Sequence, residues 1–415
     1  MDKSHACRQA GLPVVLAVLL LLTCQAVSAL TWQDVVAQAA QKNNEIRSAR
    51  KQLDAFQWTY YKSYSNFLPQ VSANASMGNS SGASGSSTSN SYGLSASQSL
   101  FSGLGNYFNT RSAAVNYDFY RANLQNTEAD AYYQARQAFI DLLIAQQNVA
   151  VREQISQVRA DSARMIKLFY DSGTEDKGNY LLTQVQLADA KNNLVSAKRQ
   201  LELARLKLAQ LIDGDVSSAE GTLVAAAPPL PDIDALTKNA PAFLMAGDQL
   251  ELAGLNQQAT ISEFLPSISL NASYQKSGSS WPPDATSKSL SLNVSLPIFP
   301  GGSNLADRVI SGLQLDKARE DFAKSEKDLY FTVKQAYENL NNAIDNYAVQ
   351  KQYLDASAEQ AKITQQKYLN GLTTYYEWNQ IQNTYINNQI GLLNADQSAL
   401  NAEANWYKSY GGYLK

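Results

Sequence analysis

Histidine and cysteine are almost absent from this chain of 415 residues, which has one His and two Cys. His5, Cys7 and Cys24 all lie ahead of Ala29. That stretch reads as a secretory signal over residues 1–29. Lys3 and Arg8 form a positive start, Val14 to Leu22 a short apolar run, and Val27-Ser28-Ala29 a small-residue cleavage site. Cleavage after Ala29 leaves neither thiol nor imidazole. Disulfides, Cys/His metal sites and imidazole acid–base chemistry are then excluded together. No cofactor is expected. Leu21-Leu22-Thr23 ahead of Cys24 also resembles a lipobox, which makes Cys24 a lipidation candidate.

Other features are scarce in informative ways. Only 11 prolines and 21 glycines are present, most of the glycines in a few clusters. Lys and Arg number 34 against 37 Asp and Glu, so there is no basic excess and nucleic acid is not an expected partner. After residue 29 no apolar run is long enough for a transmembrane helix. If the chain crosses a membrane, it does so as a β-barrel.

What is present is a repeat. Phe67-Leu68-Pro69 recurs as Phe264-Leu265-Pro266, Leu100-Phe101-Ser102-Gly103 as Ile298-Phe299-Pro300-Gly301, and Tyr170-Asp171-Ser172-Gly173 as Tyr368-Leu369-Asn370-Gly371. The offsets are 197, 198 and 198 residues. A period this long means a duplicated half rather than a solenoid. The halves are expected at 30–227 and 228–415, with Pro228-Pro229-Leu230-Pro231 as the linker.

Each half reads helix, hairpin, very long helix, tip turn, helix. Trp32–Asn66, Asn106–Ser172 and Asn179–Asp213 lack Gly and Pro in the first half, with Thr31 as an N-cap. Leu313–Asn370 lacks them in the second, and Leu372–Tyr410 has only Gly391 inside. Helices of this length imply coiled-coil packing. The tip turns fall near Gly173 and Gly371, each suited to a left-handed cap. Between about 68–101 and 265–299 the period drops to two. Val71, Ala73, Ala75 and Met77 alternate with Ser72, Asn74 and Ser76, and Leu290, Leu292, Val294 and Leu296 alternate with Ser291, Asn293 and Ser295. One apolar and one small polar face, over strands of about ten residues, suits lipid outside and water inside. Gly78–Ser91 and Lys276–Ser287 read as exposed hairpin loops. Trp58, Tyr60, Tyr61 and Phe67 suggest either an interfacial girdle or packing between helix and barrel.

Four strands cannot close a barrel, and open edges are not tolerated in lipid. Copies must therefore join around an axis, two giving eight strands and three giving twelve.

Over its mature length the chain resembles the TolC-like outer membrane efflux proteins. The shared features are Leu30-Thr31-Trp32, Asn43-Asn44-Glu45-Ile46, both Phe-Leu-Pro markers, Phe101-Ser102-Gly103 with Phe299-Pro300-Gly301-Gly302, and Ala240-Pro241-Ala242-Phe243. The resemblance implies a mainly α fold with transmembrane β: an α-barrel of long helices below a twelve-stranded β-barrel closed by a homotrimer. It implies a passive exit duct in the cell outer membrane, reaching into the periplasm among outer-membrane lipid. The implied partners are a periplasmic adaptor and an inner-membrane pump of RND, ABC or another class.

The family's closing residues lie near the second tip. Tyr368 matches its gate tyrosine. Thr373 stands where the family has Arg, and Asn179 where it has Asp, so its charged lock is expected to be missing. Of two pore acids only Glu377 remains, with Gln380 at the other position. In its place stands either a hydrogen-bonded or aromatic closure by Tyr368, Tyr375 and Tyr376, or simple packing of these tyrosines between helices, with Gly173 and Gly371 at adaptor-docking tips. Glu377 reads either as a ring that would concentrate cations or as a solvated carboxylate favoured by the dipole at the start of the last helix. Two further readings compete, a periplasmic adaptor and a secreted structural coiled coil. No enzyme is expected, because no nucleophile–base or metal constellation is visible.

Overall fold

The computed structural model of the chain describes residues 29–82, 85–229 and 231–414. Most of the signal segment and Cys24 lie outside the described residues. The first helix starts at the Thr31 cap, whose hydroxyl and Asp34 form a reciprocal capping box. The Gly/Pro-free run from Trp32 is not one helix. It divides into α1 (Trp32–Lys42) and α2 (Asn44–Ser63), because the Asn43 side chain accepts the free N–H groups of Glu45 and Ile46 and starts a new helix.

A four-stranded antiparallel sheet in the order β1-β2-β3-β4 joins two hairpins, β1 (Gln70–Gly82) with β2 (Gly85–Ser102) and β3 (Ser267–Gly278) with β4 (Ala285–Ser295). The first hairpin is longer than its composition suggests. Gly78–Ser91 is no loop: Asn79 pairs with Thr88, Ser80 with Ser87 and Gly82 with Gly85. Serine and glycine disfavour isolated strands, but a ladder already in register extends through them. Residues 279–284 form the second loop, shorter than the expected Lys276–Ser287.

The register separates the two faces. Val71, Ala96, Ala272 and Leu290 form one cross-strand row, and Ser72, Ser95, Ser273 and Ser289 form the next on the opposite face. In the serine row, Ser72 bonds Ser95 and Ser273 bonds Ser289, each at 2.7 Å. Both outer edges, β1 and β4, are unpaired within the chain.

Below the sheet run α3 (Gly105–Asp171) and α4 (Lys177–Ile212), then α5 (Ile233–Asn239), α6 (Pro241–Ala259), α7 (Ser303–Leu369) and α8 (Tyr375–Ser409). Helices α3 and α7 have 67 residues each, about 100 Å at 1.5 Å per residue. Among the described residues no helix is long and apolar enough to cross a membrane. Helix α3 packs on α4, α7 on α8, and α3 against α8 across the two halves. Buried positions recur every seven residues, at Phe108, Val115, Ala122, Ala129 and Arg136 on α3 and at Thr183, Ala190 and Ala197 on α4. A seven-residue seam forces the helices to supercoil, and its alanines let them approach closely.

Midway down, Trp32, Val35, Phe139, Leu142, Leu208 and Ile212 form a collar core. There the buried Arg136 lies over the Trp32 ring at 4.8 Å and meets Glu403 at 3.6 Å. In the single chain Trp58 is 71% exposed, with its ring 5.7 Å from that of Tyr61.

Candidate functional site at the helix tips

Both long helices end alike. The Gly173 N–H bonds Tyr170 O and the Thr174 N–H bonds Phe169 O, while Gly371 and Leu372 bond Tyr368 O and Lys367 O. This is a Schellman closure, and it needs the positive φ that Gly173 (77°) and Gly371 (71°) adopt. The returning helices are capped by Asp176, which accepts the Asn179 N–H at 2.9 Å, and by Thr374, which accepts the Glu377 N–H at 3.2 Å. The tips are thus fixed at both ends of each turn.

Tyr368 sits in the last turn of α7 and is buried. Its hydroxyl donates to Glu175 Oε2 at 2.6 Å, a bond from the second tip to the first. Glu175 Oε1 accepts from Asn179 Nδ2 at 2.8 Å. The sequence reading treats Asn179 as loss of the acid. Asn179 is uncharged, and the carboxylate nearest to it stands four residues earlier in the tip turn, at Glu175, which Asn179 orients. Burial, and then the Glu175 bond and charge, push the Tyr368 phenol far above its usual range, so it remains a donor.

An aromatic cluster backs this contact. The Tyr368 ring stacks on Trp378 at 5.0 Å and 9°, with Tyr375 at 5.7 Å from Trp378 and Phe169 at 5.9 Å from Tyr368. Tyr375 OH and the buried Thr183 hydroxyl share a hydrogen bond of 2.9 Å. Burial also raises the Tyr375 phenol. Tyr376 does not join its neighbours and is 76% exposed. Glu377 is exposed, and its carboxylate accepts from Thr373 Oγ1 at 2.5 Å. Gln380 lies one turn further on, also exposed. The structure therefore gathers Tyr368, Tyr375 and Asn179 but sets Tyr376, Glu377 and Gln380 on the outer surface of the single chain.

Two turns above, the buried Arg159 donates to Gln186, Asn379 and Asn383, and no carboxylate lies within ion-pair distance among the described residues. Burial lowers its pKa. Sequence reasoning missed Glu175, Arg159, Thr183 and Trp378. The repeat offset offered one signal: it aligns Glu175 with Thr373, a position already singled out. Nothing in the pattern marked Arg159.

Between the tips lies an open groove of about 410 Å³, lined by Phe169, Thr174, Glu175, Tyr368, Thr373 and Tyr375. Among the described residues no group of His, Cys, Asp and Glu could hold a metal ion.

Comparison with known proteins places this geometry. The sequence model of the family described as outer membrane efflux protein matches residues 35–214 and again 233–412, two stretches that start 198 residues apart. The outer membrane efflux protein BepC of Brucella suis biovar 1 (strain 1330) is 26% identical, over 95% of this chain and 88% of that protein. The fold is similar to that of CusC (TM-score 0.83, 17% identity, 92% of each chain). It is also similar to that of the MtrE outer membrane channel of Neisseria gonorrhoeae in its open state (TM-score 0.80, 20% identity, 92% of this chain and 89% of that one). The alternatives of a periplasmic adaptor and a secreted coiled coil fall with these matches. The chain belongs to the outer membrane efflux protein family and is an outer-membrane efflux channel.

Proposed function

We propose that the chain works as a homotrimeric exit duct of a tripartite efflux or type I secretion assembly, closed at its helix tips by the Tyr368–Glu175 bond. It is a passive conduit and not an enzyme. Closure of the barrel follows from the two free sheet edges: β1 of one copy pairs with β4 of the next, and three copies give twelve strands. The polar sheet face, made of Ser, Asn, Gln and Gly apart from Ala285 and without a charge, would line the lumen. Selection by charge would then fall to the tips.

The observation that carries the gate is the 2.6 Å bond from Tyr368 to Glu175, since it ties α7 to the α3–α4 turn where the pore must narrow. A periplasmic adaptor seated in the groove between the Gly173 and Gly371 turns would compete for these contacts, and an inner-membrane pump would supply the substrate. Glu377, repeated around the axis, would set cation preference at the opening.

Single-channel recording in planar bilayers tests this. A hydrogen bond to a charged group contributes about 1.5–3 kcal/mol. Tyr368→Phe and Glu175→Gln should each raise the open fraction at least about tenfold. The double variant should add little to either single one, because both remove the same bond. Glu377→Gln should lower cation preference without changing the open fraction. Wild-type gating in both latch variants would remove the bond from the gate.

A further inference from the structure

The four strands contain only two charged residues, Lys276 on β3 and Lys288 on β4. The register places both on the apolar face. Lys288 pairs with Tyr274 in the row of Ala73 and Leu94, and Lys276 pairs with Tyr92 and Thr286 in the row of Ala75. The two lysines are thus diagonal neighbours on adjacent strands, about 7–8 Å apart at the backbone. Neither forms an ion pair with the described residues, and Lys288 Nζ lies over the Tyr274 ring at 5.8 Å. Trp281 from the loop packs at 5.7 Å from Tyr92 and is 54% exposed.

Their height on the sheet is specific. Nearer the helices the same face carries Ile268, Leu270, Leu290, Leu292 and Val294 and no charge. Lys276 lies eight residues beyond Ile268, about 26 Å along the strand, which a tilt of about 35–45° turns into roughly 20 Å of height. That is close to the top of a lipid-facing band about 25 Å tall, where aromatic girdles begin. A lysine in mid-band would be strongly unfavourable, but at the edge its stem lies along lipid and its ammonium reaches the headgroups. Edge protection accounts for lysines on outer strands. It does not account for Lys276, because β3 is flanked on both sides.

We propose that Lys276 and Lys288, framed by Tyr92, Tyr274 and Trp281, form a site for the phosphate-bearing headgroup of an outer-leaflet lipid. The proposal rests on the reading that the apolar face meets the membrane. Two cations at headgroup height, outnumbering the one carboxylate near them (Asp284, beside Gly278 on the same face) and in no ion pair with it, match a phosphate in charge. The aromatic rings match the boundary between its sugar or glycerol and the acyl chains. The ligand would seat the barrel at a fixed depth.

The test uses the full chain purified in detergent and titrated with diphosphoryl lipid A, with the dephosphorylated lipid as control, read by native mass spectrometry. Each lysine near a charged lipid surface changes affinity roughly fivefold, so Lys276→Gln/Lys288→Gln should bind diphosphoryl lipid A about 30-fold more weakly. Lys276→Arg/Lys288→Arg should bind as the wild type does, and the dephosphorylated lipid should bind weakly throughout. Planar-bilayer insertion is recorded in parallel. If the wild type does not insert, the membrane reading and this site fall together. If it inserts but the Gln pair binds as tightly, or removing the phosphates changes nothing, the site alone is overturned.

Discussion

At the first tip a carboxylate stands at Glu175 and an amide one turn on at Asn179. At the equivalent positions 198 residues later, a hydroxyl stands at Thr373 and a carboxylate at Glu377. Each pair is closed by its own hydrogen bond, 2.8 Å in the first and 2.5 Å in the second. Only Glu175 is also reached by a tyrosine. Counting residues from Gly173 or Gly371 finds the right turn but not which of two helix-related positions holds the acid, and that is why the latch was illegible in the sequence. The duplication predicts an effect elsewhere. Leu104, at the start of α3, has φ 72°, and its equivalent Gly302, at the start of α7, has φ 84°. A left-handed conformation costs a residue with a Cβ about 1–2 kcal/mol. Leu104→Gly should therefore stabilise the channel by about 1 kcal/mol, seen as a higher thermal midpoint by circular dichroism in detergent. A lower midpoint would mean that the Leu104 side chain contributes more than its backbone costs.

Among the elements, the strands and long helices were readable because burial imposes a period on them, two in the sheet and seven in the supercoil. The break at Asn43 and the paired Gly78–Ser91 segment were not, because one is decided by a single side-chain cap and the other by a ladder set from outside. Helix α6 offers a prediction of its own. Asp248 lies among carboxylates, Asp118 on α3 and Glu251 one turn on, while Arg111 already pairs with Glu251 at 2.9 Å. Burial, followed by these two charges, pushes Asp248 up to about 6. Because the folded value exceeds the ordinary 3.8, the folded state holds this proton more tightly. The resulting stability is complete below about 3.8 and is lost as pH rises through about 6. Asp248→Asn should thus raise stability at pH 7.5, by about 1 kcal/mol once solvent screening is allowed for. The gain should shrink as pH falls through about 6 and vanish below about 3.8, where Asp248 is neutral folded and unfolded alike. Thermal melts of the two proteins across that range decide it, and a gain that persists undiminished at pH 4 would show a packing effect instead.

On the scale of the whole molecule, a single chain leaves two long flanks uncovered. Helix α4 exposes Leu181, Leu182, Val185, Val195, Leu203 and Leu206, and α7 exposes Phe331, Val349, Tyr353 and Ile363. Within the chain α4 packs on α3 and α7 on α8, so α4 and α7 are the outer members of the four-helix wall. Heights along these flanks agree. Leu182 is about 8 Å above the first residue of α4, and Ile363 about 9 Å above the end of α7. Val195 is about 27 Å up, between Tyr353 and Val349 at about 24 and 30 Å. Exposed apolar flanks of this extent mark an interface. We infer a heterologous contact, α4 of one copy on α7 of the next, which would generate a closed ring with the same rotation that would join β1 to β4. Val195→Glu or Val349→Glu should each shift the detergent-purified protein from trimer to monomer, since an unpaired charge would be buried at every one of the contacts. Val195→Lys combined with Val349→Glu should recover much of the trimer, because the two new charges meet only across copies. Native mass spectrometry reads all three. A trimer that survives both single glutamates would place the copies' contact elsewhere, and failure of the pair to recover would break the assignment of α4 to α7.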